Sequence, residues 1–284
     1  MRSYTTRRIK DKLAYALGVF CIVVAVVPLA SILLEVIRNG ISTISFQFIT
    51  ALPGVPGQTV GGIGPAIQGT LLLIALTSVM GIPPGVLTGI YLAEFGNNKF
   101  GRTIRFLNDV LTEFPSIVVG ILVAALLVVA THQYSPIAGA IALSVITLPI
   151  VARTTEESIK TVPNSIRDAA MALGIRRWKT TISVVLSTAR SGVITGVLLS
   201  IARISGETAP LLLTILGSNF FFSSWNQPID ALPLRIFNDA SQADPFTRQQ
   251  AWGAAMILII IVLTLNIGVR LATRGRYGSN RSRI

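Results

Sequence analysis

The sequence predicts an all-α, polytopic membrane protein with about six transmembrane helices, and the distribution of charge is the main reason. Only 13% of the 284 residues are charged, whereas a soluble domain of this length carries about a quarter. No Asp, Glu, Lys or Arg occurs between Arg38 and Glu94, or between Glu113 and Arg153. A bilayer core of about 30 Å requires roughly 20 consecutive apolar residues, which these gaps can supply.

Six apolar segments meet this requirement. The first, Leu13–Leu34, follows a basic arm at 1–12 and is longer than the ~7–15 residues of a signal-peptide core, so we expect a retained helix over 13–37. The later segments contain prolines or charges, which neighbouring helices make tolerable. Their predicted bounds are Ala66–Ala93, Val110–Thr131, Pro136–Val151, Ser191–Leu216 and Trp252–Leu271.

The basic residues predict the orientation of the chain. With the N-terminus inside, 19 of the 24 Lys and Arg residues fall in cytoplasmic segments, and two more lie at or within the fifth span. The three that fall outside are Arg38, Arg235 and Arg248. This asymmetry follows the positive-inside rule, so both termini, including the basic tail at 275–284, are expected in the cytoplasm. The loop at 217–250 is then external.

Composition and motifs exclude several functions. A net charge of +12 is typical of some nucleic-acid-binding proteins, but here the basic residues lie between apolar segments and no DNA-binding motif is present. Cys21 is the only cysteine and His132 the only histidine, so neither an intrachain disulfide nor a Cys/His metal cluster is expected. No P-loop or dinucleotide-binding fingerprint occurs, so we expect no nucleotide or other cofactor bound by this chain.

The cytoplasmic loop at 163–180 predicts two short helices joined at Gly174. Pro163 marks a break after the fourth span, and Asn164 or Ser165 is expected to cap the first short helix. Gly174 suits a left-handed C-cap. The small side chains between these points permit close approach by a partner surface. An amphipathic connector on the membrane surface explains the loop equally well on composition alone.

The order Asp168-Ala169-Ala170, followed four residues later by Gly174, resembles the EAA loop of ABC-importer permeases. In that family the loop is a coupling helix seated in a groove of a cytoplasmic ATPase, which implies ATPase coupling by these four residues. The usual pattern begins with Glu and has a later proline, where this chain has Ser187. The resemblance implies a five-helix permease core over 63–274, preceded by one extra helix.

Further stretches are similar to permeases of the PstA type, which belong to the phosphate importer of bacteria and archaea. The similar stretches are Gly61–Ala93, Phe106–Gly120 and Arg203–Leu211. The resemblance implies transport of inorganic phosphate across a prokaryotic inner membrane, without covalent chemistry by this chain. It also implies partners: a second permease of the PstC type, a PstB-type ATPase dimer that holds ATP and Mg, and an extracytoplasmic phosphate-binding protein.

Four polar residues of the fifth span are candidates for the transport pathway: Arg203, Ser205, Glu207 and Thr208. If Arg190 marks the inner interface, Arg203 lies about 20 Å deeper, where a charge costs at least ~2.5 kcal/mol and usually faces a cavity or a partner. Arg203 and Glu207 are four residues apart and can pair on one helix face. The pair is then either a structural brace or part of a polar turn whose arginine fork suits phosphate oxygens.

Other functions stay open on the sequence alone. A permease for molybdate or sulfate would carry the same coupling loop, although the stretches at 115–120 and 203–211 favour phosphate. A channel or secondary transporter would not need an ATPase docking loop. A membrane-anchored receptor is disfavoured because the chain contains no sizeable soluble segment.

Overall fold

The computed structural model of the protein describes residues 2–54 and 61–274, and the predicted tail at 275–284 lies outside them. Within the described residues the structure is helical, apart from one isolated parallel bridge between Leu216 and Ile229. In chain order the helices are α1 (Arg2–Gly40), α2 (Phe46–Thr50), α3 (Gly64–Glu94), α4 (Lys99–Glu113), α5 (Ser116–Thr131), α6 (Pro136–Lys160), α7 (Asn164–Ala172), α8 (Arg177–Ile204), α9 (Ala209–Thr214), α10 (Leu232–Ala240) and α11 (Pro245–Arg274).

Five helices are long and apolar enough to cross a membrane: α1, α3, α6, α8 and α11. Helices α4 and α5 make a sixth crossing if they count as one span, although their axes meet at 102°. The predicted all-α polytopic fold with about six spans is therefore confirmed for the described residues. The arm predicted at 1–12 continues into the first span, because α1 is one helix from Arg2 onwards.

The third predicted span, Val110–Thr131, is wrong as a continuous helix. The chain turns sharply at Phe114, where the backbone is extended with φ −66° and ψ 133°. Pro115 explains the turn, because a proline disfavours the helical conformation in the residue before it. The segment before the turn is the amphipathic helix α4, which begins at Lys99 rather than inside the membrane.

The fifth and sixth predicted spans also have different bounds. The fifth, Ser191–Leu216, is not one helix: α8 begins at Arg177 and ends at Ile204, and helix resumes only in α9. The sixth begins at Pro245, about two turns before the predicted Trp252. The external loop predicted at 217–250 therefore contains α10 and the first turns of α11.

Helix α6 is the centre of the bundle, and glycines set its distance from α3. A Cβ atom added at Gly85 would lie 2.9 Å from the Cβ of Val151, and one added at Gly89 would lie 2.5 Å from the carbonyl oxygen of Ala152. Neither distance leaves room for a side chain. Small residues four apart allow transmembrane helices to approach this closely, and van der Waals contact then holds them together.

Helix α8 also approaches α6 closely through glycines, but α8 and α6 are antiparallel. Gly192 lies against Ser158, and Gly196, one turn further along α8, lies against Thr154, one turn back along α6. Helix α1, in contrast, is exposed along its apolar length and meets α11 near its C-terminal end, where Gly40 contacts Trp252.

The segment between α9 and α11 packs on the N-terminal end of α3. The N–H of Leu232 donates to the Thr70 hydroxyl at 2.7 Å, and the N–H of Phe222 donates to the Gln68 amide oxygen at 2.8 Å. Phe222 also stacks edge-to-face with Trp225, their ring centroids being 4.9 Å apart. These contacts fix the segment to the bundle at that end of α3.

Candidate translocation site and coupling surface

A break in the helical backbone lies at the end of α8. Residues 205–208 are non-helical, and Arg203 occupies the last turn before them. Arg203 lines a small pocket together with Ile146 and Ile150, which lie near the middle of α6, about 18 Å from either end of that helix. The break therefore lies beside the central part of α6. Irregular backbone within a membrane is tolerated only where protein buries it or where it lines a cavity.

A second break adjoins the first. The same pocket is lined by Phe114 and Ser116, which flank the turn between α4 and α5. Helix α9 also packs directly on α5, because a Cβ atom added at Gly120 would lie 2.6 Å from the Cα atom of Pro210. The two interruptions thus face one another across a single pocket. Discontinuous helices of this kind form the substrate and ion sites of many transporters.

The pair formed by Arg203 and Glu207 crosses the first break instead of lying on one helix face. Arg203 Nε is 3.6 Å from Glu207 Oε1, which is within ion-pair range but too long for a hydrogen bond. The Arg203 side chain is 54% exposed in the chain alone and that of Glu207 is 16% exposed. A half-exposed guanidinium that is only loosely paired has donors to offer to an anion.

The other two candidates, Thr208 and Ser205, differ in burial and in their hydrogen bonds. Thr208 lies in the break, half-buried, and its carbonyl accepts the N–H groups of Leu211 and Leu212, both at 3.1 Å, so that it starts α9. Ser205 is buried, and its hydroxyl donates to the carbonyl of Ile201 at 2.7 Å. That bond occupies the one donor hydrogen of the Ser205 hydroxyl, and the place of Ser205 in the pathway stays a prediction.

Helix α7 forms the first part of the motif predicted at 163–180, and one of its two predicted caps is present. Gly174 has φ +79°, as expected for a left-handed C-cap, and a Cβ atom there would meet nothing within 4 Å. The predicted N-cap is wrong: Pro163 takes that position without a side-chain hydrogen bond. The helix begins at Asn164 itself, so Asn164 and Ser165 lie within its first turn.

The exposed surface of the motif differs from the predicted set by two residues. Asp168, Ala169 and Gly174 are exposed, as a contact surface requires. Ala170 is only 6% exposed and packs inward, so it is not part of the exposed surface, and its role in ATPase coupling stays a prediction. Leu173 was missed, although at 82% exposure it is the most prominent apolar side chain of the segment. A large apolar residue directly before a glycine cap, in an otherwise basic loop, is the signal that could have found it.

Comparison with known proteins decides the family. A family model described as the inner membrane component of binding-protein-dependent transport systems matches residues 85–274. The PstA phosphate transport permease of Pasteurella multocida is 40% identical over 267 residues, which cover 93% of this chain and 95% of the relative. A probable PstA permease of Methanocaldococcus jannaschii is 36% identical over 271 residues, covering 95% and 96%. The chain belongs to the PstA family of binding-protein-dependent transport permeases.

Solved structures support the fold of this permease. It aligns with a chain of a bacterial ABC transporter that imports the acidic polysaccharide alginate, with a TM-score of 0.66 and 13% identity over 98% of this chain and all of the other. It aligns with a chain of the methionine ABC transporter MetNI in an inward-facing conformation, with a TM-score of 0.58 and 18% identity over 74% of this chain and 95% of the other. The permease is thus a multi-pass inner-membrane translocation component with an ABC-permease fold.

A compact group of charges lies on and before α10. Arg235 Nε donates to Asp230 Oδ2 at 2.7 Å, Arg235 Nη2 donates to Asn219 Oδ1 at 2.8 Å, and Arg235 Nη1 lies 3.8 Å from Asp239 Oδ1. Burial raises the pKa of Asp239 to about 6, although Arg235 opposes the shift, and the nearby Asp230 adds to it. Burial likewise raises the pKa of Asp230. Arg235 therefore contacts two buried carboxyls and joins the segment before α10 to that helix.

Proposed function

We propose that this permease translocates inorganic phosphate into the cell, driven by ATP that other subunits hydrolyse. The observation that carries the proposal is the position of Arg203 beside the central part of α6, in a pocket that two helix breaks adjoin. Its planar fork matches phosphate oxygens, and charge-assisted hydrogen bonds of this kind are roughly twice as strong as neutral ones. The names of its PstA relatives support phosphate as the substrate.

The loose pairing of Arg203 with Glu207 suits brief contact with a transported anion better than tight, lasting binding. A permanently tight site would slow release, whereas Glu207 lies close enough to attract the guanidinium again once phosphate has left. Glu207 is also an unfavourable neighbour for a polyanion, so the contact with phosphate is brief. Arg203, Glu207 and Thr208 form the proposed pathway group, and the chain performs no covalent chemistry.

The proposed complex contains four kinds of subunit. This permease pairs with a second permease of the PstC type, and a PstB-type ATPase dimer docks on the surface formed by Asp168, Ala169, Leu173 and Gly174. ATP and Mg are held by the ATPase, and this chain binds no cofactor. An extracytoplasmic phosphate-binding protein delivers the substrate. Both termini and the segment at 163–180 face the cytoplasm, as the distribution of basic residues favours.

Uptake by the reconstituted complex tests the proposal. Vesicles containing both permeases and the ATPase, with ATP on the ATPase side and the binding protein on the other, should accumulate radiolabelled phosphate. Uptake should need both ATP and the binding protein, and excess sulfate or molybdate should not reduce it. Competition by either anion would assign the permease to another oxyanion, and uptake without ATP would indicate a channel or secondary transporter.

A further inference from the structure

The connection between the coupling helix and the membrane-spanning bundle is short and non-helical. Helix α6 ends at Lys160 and α7 begins at Asn164, so three residues, 161–163, join them. Ile166 of α7 packs on a buried cluster that includes Ile159 of α6 and Val162 of the connection. A force on the exposed face of α7 reaches α6 and α3 through contacts of this kind, and directed polar contacts would strengthen them.

The side chain of Arg167 provides an attachment across this connection. Its Nε and Nη2 atoms donate to Glu94 Oε1 at 2.9 and 2.7 Å, and Glu94 is the last residue of α3. Its Nη2 also donates to the Ile159 carbonyl at 3.1 Å, and its Nη1 donates to the Val162 carbonyl at 2.5 Å. One guanidinium thus joins α7 to the ends of both α3 and α6. The Arg167 side chain is 16% exposed and that of Glu94 is 6% exposed, so water competes little for these bonds.

Arg177 attaches the other end of the coupling segment to the same place. Its Nη2 donates to the carbonyl of Glu94 at 2.5 Å, and its guanidinium carbon lies 5.0 Å from the ring centroid of Phe95. Arg167 and Arg177 are 73 and 83 residues away from Glu94 along the chain. The segment from α7 to the start of α8 is therefore held at both ends on the last turn of α3.

We propose that Arg167 and Arg177 are positioning residues that brace the coupling segment against α3. A force applied to the exposed face of α7 then moves α3 and α6 as one body instead of bending the connection at 161–163. Glycine-mediated contact between α3 and α6 extends that body into the membrane. The inference rests on the proposed function, because it requires an ATPase that acts on α7.

Lysine does not provide the same brace. A lysine ammonium is a point charge, whereas Arg167 donates at once to a carboxylate and to two carbonyls in different directions. The brace therefore predicts that charge alone is insufficient at position 167. It also predicts that a neighbouring arginine without these contacts is dispensable, and exposed Arg176 of the same segment provides that matched control.

The test measures phosphate uptake and ATP hydrolysis in the same vesicles, with the full complex containing Arg167→Lys, Arg177→Gln or the pair Glu94→Gln with Arg167→Gln. The paired variant removes both buried charges together, which avoids leaving one uncompensated. We expect the variant complexes to assemble and to hydrolyse ATP. The number of ATP molecules consumed per phosphate transported should rise by about tenfold, which corresponds to a loss of ~1.4 kcal/mol of coupling free energy. Arg176→Gln should leave the ratio unchanged.

The outcomes separate a brace from a static support. If Arg167 and Arg177 only stabilise the fold, the variants will yield less complex, but the complex that forms will keep the wild-type ratio, which would overturn the inference. A ratio that changes equally in Arg176→Gln would overturn it too. If the wild-type complex shows no ATP-dependent phosphate uptake, the proposed function itself fails, and the brace fails with it.

Discussion

Replacing Arg203 by Gln separates a transport role from a structural one, because the two roles predict different magnitudes. Arg203 is 54% exposed in the chain alone and lies 3.6 Å from Glu207 without a hydrogen bond. Exposed ion pairs contribute about 0.2–1 kcal/mol, whereas breaking a buried pair costs about 3–5 kcal/mol. We therefore expect Arg203→Gln to lower the free energy of unfolding by less than about 1 kcal/mol, with near-normal amounts of complex.

Transport should respond far more strongly than stability. A hydrogen bond to a charged group is worth about 1.5–3 kcal/mol, so losing one from the rate-limiting state slows uptake by about 10- to 150-fold. Arg203→Lys keeps the charge but loses the fork and should give an intermediate rate. The variant that combines Arg203→Gln with Glu207→Gln removes both charges and should remain slow, because phosphate still lacks its donor.

The assay is uptake of radiolabelled phosphate by vesicles, normalised to the amount of assembled complex. Arg153→Gln is the control: Arg153 Nε lies 3.2 Å from Glu157 Oε1 and Nη1 lies 3.4 Å from Asp109 Oδ1, and all three side chains are more than half exposed. Both contacts lie outside the two helix breaks, so their loss should leave uptake unchanged. Uptake close to wild type in the double variant of Arg203 and Glu207 would refute the reasoning and leave Arg203 a structural residue.

Three other predictions follow from the orientation, the coupling surface and the charges around Arg235. The orientation is tested with single cysteines placed in a Cys21→Ser background at three exposed positions, Ser42, Asn226 and Ser165. An impermeant thiol reagent added outside should label the first two, and outside labelling at Ser165 would reverse the proposed orientation. Leu173→Ala should weaken co-purification of the ATPase by about tenfold, because the proposed interface buries this leucine side chain. Leu17→Ala on exposed α1 should have no such effect, and equal loss in both variants would remove Leu173 from the interface. Burial raises the pKa of Asp239 from 3.8 to about 6, so the folded protein binds a proton at this carboxyl more tightly than the unfolded chain does. The protonated carboxyl therefore contributes fully to stability below pH 3.8, and this contribution is lost as the pH rises through 6. Thermal unfolding should therefore show that Asp239→Asn gains stability relative to wild type between about pH 4 and pH 6; parallel curves would contradict the shift.

The sequence predicted the existence of the spans well, because hydropathy over about 20 residues is a local property. The sequence predicted the breaks in the helices poorly, because a proline in an apolar segment accompanies a break in one place and a continuous helix in another. Pro83 and Pro84 lie inside α3 and Pro149 lies inside α6, and both helices continue through them. Pro115 coincides with a bend of 102°. A proline removes one hydrogen bond, and whether the helix then continues depends on the neighbours that pack around it.

The candidate site shows the same limit. The spacing of Arg203 and Glu207 predicted their proximity, but the structure brings them together across a break and not along a helix. The contact between Arg167 and Glu94 joins residues 73 apart in sequence, and no local pattern indicates it. The inward position of Ala170 likewise depends on the helices that pack around it. Local motifs therefore locate the site, and tertiary contacts decide which side chains face it.

The central position of α6 links the proposed coupling segment to the pocket of Arg203. The carbonyl of Ile159, near the C-terminal end of α6, accepts a hydrogen bond from Arg167, and the middle of the helix supplies Ile146 and Ile150 to that pocket. Glycines of α3 lie directly against α6 on both sides of Pro149, at Gly81 and Gly89, so the two helices are in close contact there. In the proposed mechanism, a displacement of the coupling segment moves one wall of the pocket, while the break after Ile204 lets Arg203 remain with α8. The two breaks would then let the pocket change shape without requiring any long helix to unfold.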